Sequence, residues 1–173
     1  VDPWGASSAG PPARVAQTAG AGLTAGLLAR ALPALPEVRP GDDLAALIGV
    51  AAPADLGAGD VLVVAHKVVS KAEGRVRSVD EIEPGDRALA MAAEHGKDAR
   101  LVQAVLDESA QVLRAVGGVL ICETRHGFVC ANAGIDQSNA ARPGELVLLP
   151  EDPDASARGL RAAIGARPAV VIA

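Results

Sequence analysis

The chain has 173 residues, half of them hydrophobic but only 1% aromatic, which suits one domain with a core of Val, Leu, Ile and Ala. A net charge of −5, with no run of Lys or Arg, argues against a polymeric nucleic acid as partner, because phosphate contacts ask for a basic face. Cys122 and Cys130 are too few for a disulfide scaffold or a thiolate zinc site, and no stretch reads as a membrane span or secretory leader, so a cytoplasmic protein with free thiols is expected.

Residues 1–30 are small, polar and rich in Gly and Pro, with no period that would bury a face, and are expected to form a disordered or irregular extension. Gly20-Ala21-Gly22-Leu23-Thr24-Ala25 loosely matches a dinucleotide fingerprint. No convincing strand precedes it, so a Rossmann site is not expected. Organisation begins near Leu35. Pro40-Gly41-Asp42-Asp43 offers a turn and an N-cap for a helix through LAALI. The β-branched run VLVVAHKVVS after Gly59-Asp60 predicts a buried strand, leaving Ser70-Lys71-Ala72-Glu73-Gly74 as a polar loop at its exit.

Pro84-Gly85-Asp86 should open a helix that His95-Gly96 stops, and Asp98 should cap a second. Leu101, Val102, Val105, Leu106, Val112, Leu113 and Val116 fall on one helical stripe, which predicts a helix running to Gly117-Gly118. GVLICET and GFVCANAG read as strands joined by the hairpin loop Arg125-His126-Gly127, which sets Cys122 opposite Cys130. A direct cross-strand disulfide there would be strained. ELVLLP is a short strand, Asp152-Pro153-Asp154 starts a helix through ASARGLRAAIG, and PAVVIA is a final buried strand. The mixture gives an α+β (mixed α/β) fold without internal repeats. A core strand at Ala173 with nothing to cover it suggests a fragment of a longer domain.

Four segments carry candidate chemistry. Lys71, with Ser70 and Gly74, has the residue types that bring an ammonium and backbone N–H groups to a phosphate, although the GxxxxGK[ST] pattern is absent and a solvated lysine in a turn is the plain alternative. CANAGIDQSN places the hard oxygen donor Asp136 among Asn132, Gly134 and Asn139, as a Mg²⁺ or Mn²⁺ site would, or as an ordinary Asx-rich loop would. Arg125 and His126 suit a phosphate-facing pair, or a polar hairpin tip. Glu151, Asp152 and Asp154 read most simply as helix-start carboxylates that complement the dipole.

Taken in order, LPEVRPGDDLAALI, GDVLVVAHKVVSKAEGR, GKDARLVQAVLDES, ETRHGFVCANAGIDQSN and LLPEDPDASARGLR resemble the coenzyme F420-0:L-glutamate (gamma-glutamyl) ligase family, actinobacterial type. The resemblance covers residues 31–173 and corresponds to the N-terminal portion of the ligase domain. It implies an enzyme forming carbon–nitrogen bonds in coenzyme F420 biosynthesis, with GTP, L-glutamate and coenzyme F420-0 as partners. It further implies Mg²⁺ or Mn²⁺, help from K⁺, an acyl-phosphate intermediate, and a homodimer when complete. Leu35, Pro36, Glu37, Val38, Lys71 and Asn139 match nucleotide-binding positions, and Asp136 matches a metal ligand. His66 stands where some members have a nucleotide-contacting serine. No residue matches a side-chain nucleophile or an assigned proton acceptor. The family's Asp-Thr metal-binding pair, which follows a strand like AVVIA, lies beyond Ala173, so this chain alone is expected to have little or no ligase activity. The rival readings are an inactive nucleotide-binding remnant and a metal-dependent nucleotide hydrolase.

Overall fold

The computed structural model describes residues 26–137 and 144–173. The Gly20–Ala25 fingerprint and Asn139 lie outside the described residues. Residues 26–34 carry no regular element. Leu35–Ala173 forms one compact unit, an α+β arrangement of five α-helices and three small sheets among the described residues.

The capping signals act where the sequence places them. The Asp43 carboxylate accepts the Ala46 N–H at 3.0 Å and starts α1 (Leu44–Ala51), whose Leu44 and Ile48, one turn apart, are buried. Asp98 accepts from the Arg100 N–H and starts α4 (Ala99–Asp107). Asp152 accepts from the Ala155 N–H at the head of α5 (Pro153–Ala163), so the cap reading holds for this member of the acidic cluster. Helix α3 (Asp86–His95) ends where Gly96 turns left-handed at φ +64°.

Two long elements differ from expectation. The run VLVVAHKVVS is not one buried strand: β1 (Val61–Val64) stops after four residues, and His66–Ala72 forms helix α2. Ser70-Lys71-Ala72 therefore closes a helix rather than forming a strand-exit loop. The Ser70 hydroxyl, fully buried, donates back to the His66 carbonyl at 2.9 Å, which suits a helix and not a strand. The stripe from Leu101 to Val116 is likewise split. Helix α4 ends at Asp107, and Ser109–Val116 is strand β3. Gly117-Gly118 then forms a hairpin turn to β4 (Val119–Thr124), both glycines having positive φ.

Strands β3, β4 and β5 (Val129–Ala131) make an antiparallel sheet in which Cys122 lies opposite Cys130, and both thiols are free. At the tip joining β4 to β5, the Gly127 N–H bonds the Thr124 carbonyl with Gly127 at φ +83°. His126 is more than an exposed turn residue: its Nε2 lies 3.0 Å from the Glu151 carbonyl, and its ring stacks on Phe128. Helix α4 divides the core. Val102 and Val105 pack with Ala88, Ala92, Leu120, Cys122 and Ala133, while Ala104 joins Ile82, Leu146 and Leu148.

Strand β2 (Val76–Ser78) pairs antiparallel with β6 (Glu145–Val147), and β1 pairs in parallel with β7 (Ala169–Ile172). The final strand is not buried as expected, since Ala169 and Val171 face solvent. The β1–β7 ladder extends into the head of α2, because the His66 N–H donates to the Ala173 carbonyl at 2.7 Å.

Candidate functional site

Helix α2 is the platform of the candidate site. It has no side-chain N-cap, and its polar residues instead organise the surroundings. Lys67 and Lys71 are four residues apart, which puts them on one face, one turn from each other. Each ammonium meets a carboxylate from a different part of the chain. Lys67 Nζ donates to Asp136 Oδ2 at 2.8 Å, and Lys71 Nζ donates to Glu37 Oε1 at 2.6 Å. The Lys71 side chain is only 15% exposed, although it sits in the last turn. The segment around Glu37 includes the buried Val38 and is tied to the end of α2 by the Gly41 N–H, which donates to the Ala72 carbonyl at 2.8 Å.

Asp136 is fixed from the other side. After β5 the chain makes a tight left-handed turn, with φ +49° at Asn132, +53° at Ala133 and +73° at Gly134. Positive φ at two non-glycine residues is costly and marks a turn that its surroundings impose. Ala133 is buried in the core, and the Asn132 side-chain oxygen accepts from the Leu120 N–H, so both are tied down. Beyond the turn, the Asp136 N–H and carbonyl both bond Val147 of β6 at 2.9 Å. The backbone of Asp136 is thus clamped, and its carboxylate faces α2.

His66 opens α2. Burial pushes its imidazole below the ordinary value of 6.5, Lys67 adds to that, and Asp136 opposes it. Its Nδ1 is buried without a hydrogen-bond partner among the described residues.

Two depressions adjoin these groups. One, of about 480 Å³, includes Pro36, Glu37, Arg39, Asp42 and Asp43 in its lining. The other, of about 240 Å³, is lined by Lys97, Leu101, Asn132, Ile135, Asp136 and Gln137. Among the residues expected to act, Glu37, His66, Lys71 and Asp136 lie on or against α2. Pro36 lines the first depression, Leu35 is half-buried, and Val38 is a core residue. Sequence reasoning missed Lys67 and Lys97. Lys67 would have stood out as the i−4 partner of Lys71 had the segment been read as a helix.

Among the described residues, no three His, Cys, Asp or Glu side chains gather closely enough to hold a metal ion. Asp136 offers one hard oxygen donor, now engaged by Lys67. That fits Mg²⁺ or Mn²⁺ only in the open manner in which one or two carboxylates act together with phosphate oxygens and water, not as a closed protein cage.

The F420-0:Gamma-glutamyl ligase family model matches residues 34–173. Curated relatives named coenzyme F420:L-glutamate ligase align at substantial identity. The protein of Methanopyrus kandleri is 55% identical over 125 residues, which is 72% of this chain and 48% of that protein. The protein of Methanothermobacter thermautotrophicus is 48% identical over 145 residues, 80% of this chain and 57% of its own length. That of Archaeoglobus fulgidus is 48% identical over 142 residues, 80% of this chain and 55% of its own length. The chain therefore spans about half the length of the curated relatives it matches.

Proposed function

The chain belongs to the F420-0:Gamma-glutamyl ligase family, and from that premise we propose that it carries part of an enzyme joining L-glutamate to coenzyme F420-0 at the expense of GTP. The observation that carries the reading, beyond membership, is the pair of lysines on α2, each held against a carboxylate from a distant segment. Paired and partly buried, they are positioned without being neutralised permanently. An incoming polyphosphate can take over the ammonium groups from Glu37 and Asp136.

The reaction needs such a site. A carboxylate is a poor electrophile, so the γ-phosphoryl group of GTP passes to a carboxylate oxygen of the coenzyme, its bond to the β-phosphate oxygen breaking with release of GDP, and makes an acyl phosphate. The amine of glutamate attacks the carbonyl carbon, the amide forms, and inorganic phosphate leaves with the bonding electrons. Phosphoryl transfer of this kind relies on positioning and charge stabilisation. Lys67 and Lys71 hold phosphate oxygens in place as negative charge shifts. Asp136 is the carboxylate that would help hold Mg²⁺ or Mn²⁺, whose chemistry is to neutralise phosphate charge. A nucleotide would extend along α2 toward Leu35, Pro36, Glu37 and Val38, and Asn139 joins its contacts by the family resemblance alone. K⁺ assistance and a homodimer belong to the same reading.

Titration calorimetry with GTP and Mn²⁺ tests it. Binding is expected, weakened roughly tenfold or more in Lys71→Met and in Lys67→Met, since each removes a charge-assisted contact. Undiminished binding in both variants would remove α2 from the nucleotide site. GTP turnover that needs neither glutamate nor coenzyme would favour a nucleotide hydrolase instead.

A further inference from the structure

Sheet β1–β7 has one bare face. Its register pairs Val61 with Ala169 and Val63 with Val171. These four side chains therefore point to the same side, opposite Leu62 and Val64. Leu62 and Val64 are buried, and α5 packs against β7. The other face is exposed: Val61 is 61% accessible, Val63 64% and Val171 47%.

This is not the ordinary solvent face of a sheet. Antiparallel sheets commonly leave one side to water, with polar residues interleaved. The outer side of β3–β4–β5 does so: Gln111, Arg114 and Glu123 stand among its valines, and Gln111 donates to Glu123 at 2.7 Å. The outer side of β1–β7 has no polar side chain. Its strands are parallel, and parallel sheets occur almost only with both faces covered. Moreover, β1 and β7 pair only with each other among the described residues.

We infer that the Val61/Val63/Ala169/Val171 face is a docking surface for the remainder of the ligase polypeptide, the portion of the family's length that this chain does not span. The matched stretch covers only 48% of one relative and 57% of another, so the rest of the relatives' length supplies an occupant large enough to form a covering layer. The chemistry of the face specifies that layer as apolar where it touches the valines. This inference rests on family membership and the sheet, not on the proposed reaction, so its test reads association rather than turnover.

The probe is the part of the Methanopyrus kandleri ligase outside the matched stretch, produced as a separate polypeptide and co-expressed with this chain. The two are expected to co-purify as a one-to-one complex. Val63→Asp and Val171→Asp should weaken association at least roughly tenfold, because a carboxylate would be buried without a partner. The milder Val63→Thr should weaken it less, and Val129→Asp, on the outer side of the other sheet, should leave it unchanged. Circular dichroism of each variant checks that the chain still folds, which the exposure of these positions favours. Failure of the wild-type pair to associate would overturn the inference. So would association indifferent to Val63→Asp and Val171→Asp, or a defined homodimer of the chain alone at neutral pH that Val63→Asp abolishes, which would make a second copy the occupant.

Discussion

Gly134 controls where Asp136 sits. It holds φ at +73°, and a Cβ there would lie 2.9 Å from Cγ of Leu149, the branch point of that side chain rather than its flexible end. Gly134→Ala therefore carries both a backbone and a steric penalty, together about 2–3 kcal/mol. A urea titration followed by circular dichroism should show a midpoint lowered accordingly. If stability is unchanged, the left-handed turn is not under the constraint described. His66 governs pH response at the same scale. Burial, then Lys67, hold its pKa below 6.5 against the pull of Asp136. The unfolded chain thus binds this proton more readily than the folded one. Stability contributed by the neutral imidazole is complete above roughly pH 6.5 and is lost as pH falls toward the folded-state pKa. Urea midpoints at about pH 5 and about pH 7.5 should differ less in His66→Gln than in the parent. An equal difference in both would assign the acid sensitivity to other groups.

At the scale of elements, the sequence was most legible where a side chain makes its own local bond. Asp43, Asp98 and Asp152 announce α1, α4 and α5 because each accepts from an N–H two or three residues on. Gly96 and Gly127 announce turns because glycine adopts the required positive φ without a steric penalty. Strand β3 was illegible for a definite reason. Its pairing with β4 shifts register twice, between Ser109 and Gln111 and between Val112 and Arg114. Each irregularity inserts a residue, so shielded positions recur at Ser109, Val112 and Ala115, every third residue instead of every second. A spacing of three imitates a helix, and it continues the real stripe of α4 almost without a break. Helix α2 failed in the opposite direction. It is seven residues long, contains adjacent valines and lacks a capping side chain. Only the tertiary setting, with Ser70 buried and the β1–β7 ladder ending at His66, decides for helix. That misreading hid the most informative feature of the site, since the spacing of Lys67 and Lys71 has meaning only on a helix.

For the whole molecule, net charge and the bare sheet face act against each other. At neutral pH the charge of −5 opposes the approach of copies of the chain, while Val61, Val63 and Val171 lie open. The charge vanishes near the isoelectric point of about 5.2. The proton taken up by unfolded His66 erodes stability over the same fall in pH. Self-association should therefore be fastest near pH 5.2 and be driven through the β1–β7 face. Light scattering across a pH series tests this with paired variants. Val63→Asp and Val63→Lys interrupt the same apolar face but move the isoelectric point in opposite directions. If the face drives association, both suppress scattering at their own isoelectric points. If neutrality alone drives it, both aggregate as the parent does, with the maximum merely displaced down for Asp and up for Lys. The second outcome would mean that the exposed valines carry no special weight in association.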